Sequence, residues 1–462
     1  MRELIRRSSG VFPTGPGILL GISISLHLAA LIEGVLGRAV DSSALFLGGQ
    51  FALSLALLRL YNGRWVLQDI RLFFALFLFL YGAMLPLVVF FGIGGVVNGI
   101  AGAGFMYGTA FVGFNLVQWW YKQPFEDISL TAFKRIAPSP LNAMILVGAY
   151  LFVVAYAISR GVQIGLRIDR GQTQFLGTQL WVVSIFVING LTMFMFAGWS
   201  RLSRGARVAL VVAVVMFIAF QVAMGNRRDF LPMFVFLFAM VSTRRRAVIH
   251  AGTVIFGGLA FVAFMAIGII RQVVADPALL TRYNPLELVL TQNEFVAPIY
   301  TLVHYVNNVR PLRWGLTYIS APAQFVPRAI WPDKPESLSL QFMRDAFGSV
   351  NLMGFAYTPV TEAFLNFSWV GPFIVFSIIS LLLVKLVRNA ERHAGLYLVC
   401  YALVVDFHRG EFSLTFYALC FVGGAYWFQL FVSRLRWSPP IAALFPGDGS
   451  RSRARQSPVL RS

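Results

Sequence analysis

The sequence predicts an all-α fold, a polytopic membrane helix bundle of about twelve transmembrane helices with a long helical periplasmic loop. Three observations predict it. The 462 residues are 58% hydrophobic and only 12% charged, more apolar surface than a soluble chain of this size could bury, so lipid must cover the excess. The apolar residues gather in runs, most of them roughly 17–25 residues long, the length that crosses a bilayer as a helix. The basic residues cluster in alternate intervals between those runs, as retention of short loops on the cytoplasmic side requires.

The first run, Gly17–Leu36, follows the basic segment Met1 to Pro16. No small-residue cleavage site is obvious there, so it reads as a first spanning helix rather than a removed signal peptide. Ser42–Leu60, Leu72–Gly92, Gly99–Tyr121, Leu141–Ile158 and Gly177–Trp199 complete the first half. Trp119-Trp120-Tyr121 closes one of these runs as an aromatic interface belt, and Glu33 is an interfacial carboxylate near the outer end of the first. The second half holds Val208–Met224, Phe230–Ser242, Ala251–Ile270, Val370–Val387, Leu396–Phe407 and Phe412–Val432. Phe230–Ser242 and Leu396–Phe407 are short, and each must extend into polar flanks, tilt or thin the bilayer.

With a cytoplasmic N-terminus, the inside segments and the tail hold 24 of the 38 Lys and Arg residues, and every inside segment is basic. Helix count and orientation thus support each other, with both termini cytoplasmic. Residues 1–432 form a single integral membrane domain. The periplasmic loop, residues 271–369, is inserted between the ninth and tenth helices. Pro277, Pro285, Pro298, Pro311, Pro322, Pro327, Pro332, Pro335 and Pro359 break it into several short helices, some lying flat on the membrane. Apolar spacing within Leu286–Tyr305 marks one such helix. Residues 433–462, rich in Pro, Ser and Arg, form a cytoplasmic tail expected to be disordered.

The formal charge of +19 does not make this a nucleic-acid binder, because it is divided among short clusters between apolar runs instead of forming a patch on a polar domain. Cys400 and Cys420 lie inside apolar runs and support neither a disulfide framework nor a cysteine metal site. No internal repeat and no nucleophile elbow is visible.

Charges held near the bilayer mark function, and here they concentrate on the outer side. The candidates for binding a diphosphate are Arg160, Arg227, Arg228, Arg271, Arg328, Lys334 and Arg409. A guanidinium is always charged, planar and able to make paired hydrogen bonds to phosphate. Glu362, His408 and Glu411 are the candidates for taking a proton. No Asp-x-Asp-type pair is placed for a divalent ion, so no metal or cofactor is expected and Arg supplies the charge stabilisation. Each residue also has a plainer reading. Arg227 and Arg228 fit a helix cap touching lipid phosphates. Arg160, with Arg167 and Arg170, fits a solvated loop, His408 a lone interfacial histidine, and Glu362 a structural ion pair.

The stretch from Gly315-Leu316-Thr317-Tyr318 through Val326-Pro327-Arg328-Ala329-Ile330-Trp331-Pro332-Asp333-Lys334-Pro335 resembles the outer loop of the O-antigen polymerase (Wzy) family. So does Thr361-Glu362-Ala363-Phe364-Leu365-Asn366-Phe367 running into Gly371 and a helix. The Asn226-Arg227-Arg228 and His408-Arg409-Gly410 turns sit where that family places outer arginines. Ser368-Trp369-Val370-Gly371 departs from it, since the family often has a Gly directly after Asn-Phe. The resemblance implies a glycosyltransferase at the periplasmic face of the bacterial inner membrane, polymerising undecaprenyl-diphosphate-linked oligosaccharide repeat units for O-antigen or exopolysaccharide. Its partners would be that lipid-linked substrate, membrane lipid, a chain-length regulator and a flippase. An acceptor hydroxyl would attack the anomeric carbon while Arg227, Arg228, Arg328 and Arg409 hold the diphosphates. An O-antigen ligase and a lipid-linked oligosaccharide flippase or transporter remain as alternatives.

Overall fold

The computed structural model describes residues 14–90, 98–128, 136–159, 179–223, 227–245, 269, 273, 277–282, 287–288, 293, 295–326, 330–348 and 356–435. Among the described residues the chain is an all-α polytopic bundle without strands. The helices are α1 (Thr14–Val35), α2 (Ala39–Asn62), α3 (Ile70–Phe90), α4 (Ile100–Tyr121), α5 (Pro140–Ser159), α6 (Gln179–Ala197), α7 (Arg204–Ala223) and α8 (Leu231–Arg245). The loop contributes α9 (Leu279–Arg282), α10 (Val296–Asn307), α11 (Leu316–Ile319), α12 (Leu338–Phe347) and α13 (Pro359–Phe367). The chain continues through α14 (Gly371–Arg388), α15 (Ala394–Ala402), α16 (Val404–His408) and α17 (Phe412–Arg434).

Eight of these helical stretches are long and apolar enough to cross a membrane, and the shorter apolar helices Val182–Ala197 and Leu231–Ser242 fall on two more of the expected runs. The expected span Ala251–Ile270 lies outside the described residues apart from Ile269. Leu396–Phe407 is not one helix. It breaks after Ala402, where Leu403 sits at ψ 0° and its N–H is shared between the carbonyls of Val399 and Cys400, tightening the last turn of α15. Within Leu286–Tyr305, the helix α10 starts only at Val296, where the Asn293 side chain accepts from the N–H groups of Phe295 and Val296 at 2.8 and 3.1 Å. Residues 160–178 and 436–462 lie outside the described residues, so the expected Arg-rich turn and most of the expected tail do too, while Ser433 and Arg434, expected in the tail, continue α17.

Small residues let the helices approach closely. A Cβ at Gly113 of α4 would lie 2.4 Å from the Phe373 carbonyl oxygen of α14, so that crossing needs a residue without a side chain. On the other side of the bundle, Gly190 of α6 lies against Val422 of α17 in the same way, and Tyr150 of α5 shares a 2.9 Å hydrogen bond with Thr192 of α6.

Polar side chains gather at two ends. At one end Arg71 and Asp69 form a fully buried pair at 2.6 Å. Arg71 also donates to Gln118 at 3.1 Å and to the Gln123 carbonyl at 2.7 Å, while Tyr397 donates to the Gln68 carbonyl at 2.5 Å. Asp69, Arg71 and Gln123 belong to segments expected on the cytoplasmic side, and Gln118 and Tyr397 to the adjoining ends of expected spans. At the other end the loop helices pack onto the starts of α14 and α17, with Asn307 donating to the Asn98 carbonyl at 2.7 Å.

Candidate functional site

The loop end of the bundle is organised around α13. Pro359 starts it and the Thr358 hydroxyl accepts from the Thr361 N–H at 3.1 Å, a side-chain N-cap. Glu362 and Asn366 are four residues apart and therefore share a face. The segment before α11 is pinned to the end of this helix. Arg313 N–H donates to the Leu365 carbonyl and Trp314 N–H to the Asn366 carbonyl, both at 3.1 Å, and Gly315 N–H donates to the Asn366 side chain at 2.9 Å. Trp314 and Gly315 both adopt left-handed backbone, φ 50° and 84°, which turns the chain back so that Thr317 faces α13. The Thr317 hydroxyl then donates to Glu362 Oε1 at 2.6 Å and accepts from Asn366 Nδ2 at 2.7 Å.

The other oxygen of Glu362 accepts from the N–H of Phe412 at 2.6 Å, the first residue of α17. Glu411, one residue earlier, accepts from the Ser413 hydroxyl at 2.8 Å and from the N–H of Leu338, the first residue of α12. Each carboxylate thus closes the positive end of a helix from a different part of the chain. Both are buried, at 1% and 7% exposure, so water contributes little to their solvation. Burial raises the Glu411 carboxyl above the ordinary carboxylate value, against the opposing pull of Ser413, of the backbone N–H groups of Leu338 and Ser339, and of the Arg313 charge.

Both glutamates open onto one cavity of about 420 Å³, whose polar walls include Arg313, Thr317, Gln324 and Ser337. Arg313 is half-buried and its charge acts on both carboxylates, yet among the described residues its guanidinium has no hydrogen-bond or ion-pair partner. Glu336, also in the wall, is already neutralised by Arg344 at 2.7 Å. The hydroxyls of Tyr318 and Tyr357 are buried nearby without a partner among the described residues. The cavity therefore offers a free cation, two weakly solvated carboxylates and hydroxyl donors, a set suited to an anionic, hydroxyl-rich ligand. Among the described residues no group of three or more His, Cys, Asp or Glu is placed to hold a metal ion.

Glu362 and Glu411 are the two expected site residues that the structure brings together. His408 is buried elsewhere, its ring 4.5 Å from Phe74 and 6.2 Å from Tyr81, and it does not line this cavity. Lys334 is also buried, but its ammonium donates to the carbonyls of Gln324 and Val326 at 3.4 and 3.1 Å, holding the loop instead of facing the cavity. Arg409 follows α16, half-buried and outside the cavity wall. Arg227 and Arg228 begin a 3-10 turn that hangs on the middle of α6, where Asn189 donates to the Asp229 carbonyl at 2.7 Å. Arg160, Arg271 and Arg328 lie outside the described residues.

Arg313, Thr317 and Asn366 were not expected as site residues. Thr317 and Asn366 stand inside the two motif stretches, and the four-residue spacing of Glu362 and Asn366 on a helix was the available signal. Arg313 carried a weaker one, a cation directly before a Trp-Gly turn. Compared with known proteins, the chain matches no family model, no curated protein and no solved structure.

Proposed function

We propose that the protein is a glycosyltransferase that polymerises undecaprenyl-diphosphate-linked oligosaccharide repeat units at the periplasmic face of a bacterial inner membrane. The observation that carries this reading is the shared cavity, in which Thr317 and Glu362, from the two loop stretches that resemble the O-antigen polymerases, meet Glu411 and an Arg313 guanidinium without a partner among the described residues. Position 368 is where the chain departs from that resemblance. Ser368 stands where that family often has glycine, and its backbone, φ 56° and ψ −147°, is one that glycine favours.

In this mechanism an acceptor sugar hydroxyl attacks the anomeric carbon of the donor. The new C–O bond forms as the bond to the diphosphate oxygen breaks, and the hydroxyl proton passes to Glu362 or Glu411. Arg313, in the wall of the same cavity, meets the charge that develops on the departing diphosphate. The diphosphate is already a good leaving group, so positioning and charge stabilisation supply most of the rate.

Reconstitution with a purified lipid-linked repeat unit tests the reading. Wild-type protein is expected to yield polymers, and Arg313→Ala only unextended units from a protein that still folds. Full-length polymer from Arg313→Ala and from Glu362→Gln would overturn it.

A further inference from the structure

A second cavity, of about 530 Å³, lies at the opposite end of α17, roughly one membrane thickness from the carboxylates. Its wall joins the turn before α15 to the last turns of α17 and carries Arg392, His393, Gly395, Tyr426, Trp427 and Arg434. Arg392 and Arg434 are exposed, and their guanidiniums have no partner among the described residues. Glu391, the one acidic group in the wall, already has a partner of its own.

Three kinds of donor meet there. The first is the cation pair. The second is the start of α15, which has no side-chain cap: Tyr397 N–H is the first to find a carbonyl, that of His393, and Ala394 and Gly395, the first residues of the helix, line the cavity. The third is the hydroxyl of Tyr426, a side chain only 2% exposed, without a hydrogen-bond partner among the described residues. A Cβ at Gly395 would lie 2.9 Å from that oxygen, so the glycine lets the phenol sit directly against the helix start. The buried Tyr426 hydroxyl is costly without an acceptor, and a phosphate is a group that would satisfy it together with the two guanidiniums and the helix start.

We propose that this cavity binds the phosphate of an anionic phospholipid. Trp427, 47% exposed beside the cavity, and Leu430 in its wall give the rim the apolar and amphipathic character of a membrane interface, which a headgroup with acyl chains satisfies and a free phosphate does not. The site is separate from the carboxylate cavity and does not depend on the reaction proposed for it.

The test uses the full chain in nanodiscs of phosphatidylcholine alone or with added phosphatidylglycerol, read by native mass spectrometry for retained lipid. Wild-type protein is expected to retain phosphatidylglycerol selectively, and Arg392→Gln/Arg434→Gln to bind it about tenfold more weakly. Tyr426→Phe, which removes only an unpaired hydroxyl, is expected to keep the fold and also lower retention. Equal retention by wild type and both variants would overturn the site. Binding of inorganic phosphate with no selectivity among lipids would overturn the lipid assignment.

Discussion

Glu362 and Glu411 each do two things at once, closing a helix start and facing a cavity, and mutation separates the two. Glu362→Gln keeps an oxygen for the Phe412 N–H but cannot accept a proton from a substrate. On the proposed function it is expected to lower polymerisation by about 100-fold or more, the usual contribution of a positioned base, while thermal unfolding in detergent stays near that of wild type. Glu411 makes a pH prediction. Its folded-state carboxyl is held above the ordinary 4.5 by burial, so in the window between that value and the raised one the folded chain keeps a proton that the unfolded chain has lost. Its contribution to stability is therefore greatest below the ordinary value and is lost as pH rises through the raised one. Glu411→Gln is expected to flatten the thermal midpoint across that window, and an unchanged slope would remove Glu411 as its cause.

The hinge between α13 and α14 joins the helix that carries Glu362 to the spanning helix that follows it. Ser368 holds a backbone conformation costing about 1–3 kcal/mol for a residue with a side chain, and Gly371 is packed so closely that a Cβ would meet the Ala363 carbonyl oxygen at 2.0 Å. Ser368→Gly is expected to raise stability by about 1 kcal/mol with activity kept, whereas Gly371→Ala is expected to lower both, measured by thermal unfolding and polymer yield. The elements themselves were largely legible, because a spanning helix needs only length and apolarity. The break inside Leu396–Phe407 was not, because Leu403, Val404 and Val405 carry the apolar run straight across it and only the backbone at Leu403 marks the turn. The site was legible at Glu362 and Glu411, carboxylates at the starts of apolar runs, but Asn366, one helical turn beyond Glu362, went unread although its spacing offered the signal. It was not legible where a long-range turn delivers a side chain, as at Arg313, nor where a charged residue such as Lys334 turns to backbone carbonyls.

Across the whole molecule, the two polar ends play unequal parts. The Asp69–Arg71 pair is fully enclosed and fully hydrogen-bonded, so removing one partner strands a charge among apolar groups. Arg71→Ala is expected to cost about 3–5 kcal/mol and to reduce the amount of folded protein in the membrane, without selectively shortening any glycan product. Mutations of the carboxylate cavity should do the reverse, leaving protein in the membrane and capped single units on a gel. The cavity is also walled by pieces far apart in the chain, from Arg313 through Gln341 to Glu362 and finally Glu411 and Ser413. A ribosome releases these pieces in order, and the last arrives only with the final spanning helix. Stalled or clipped chains that stop before it can sit in the bilayer with most of their spans, but they lack one wall of the chamber, so on the proposed function chain order itself would keep half-made copies inactive.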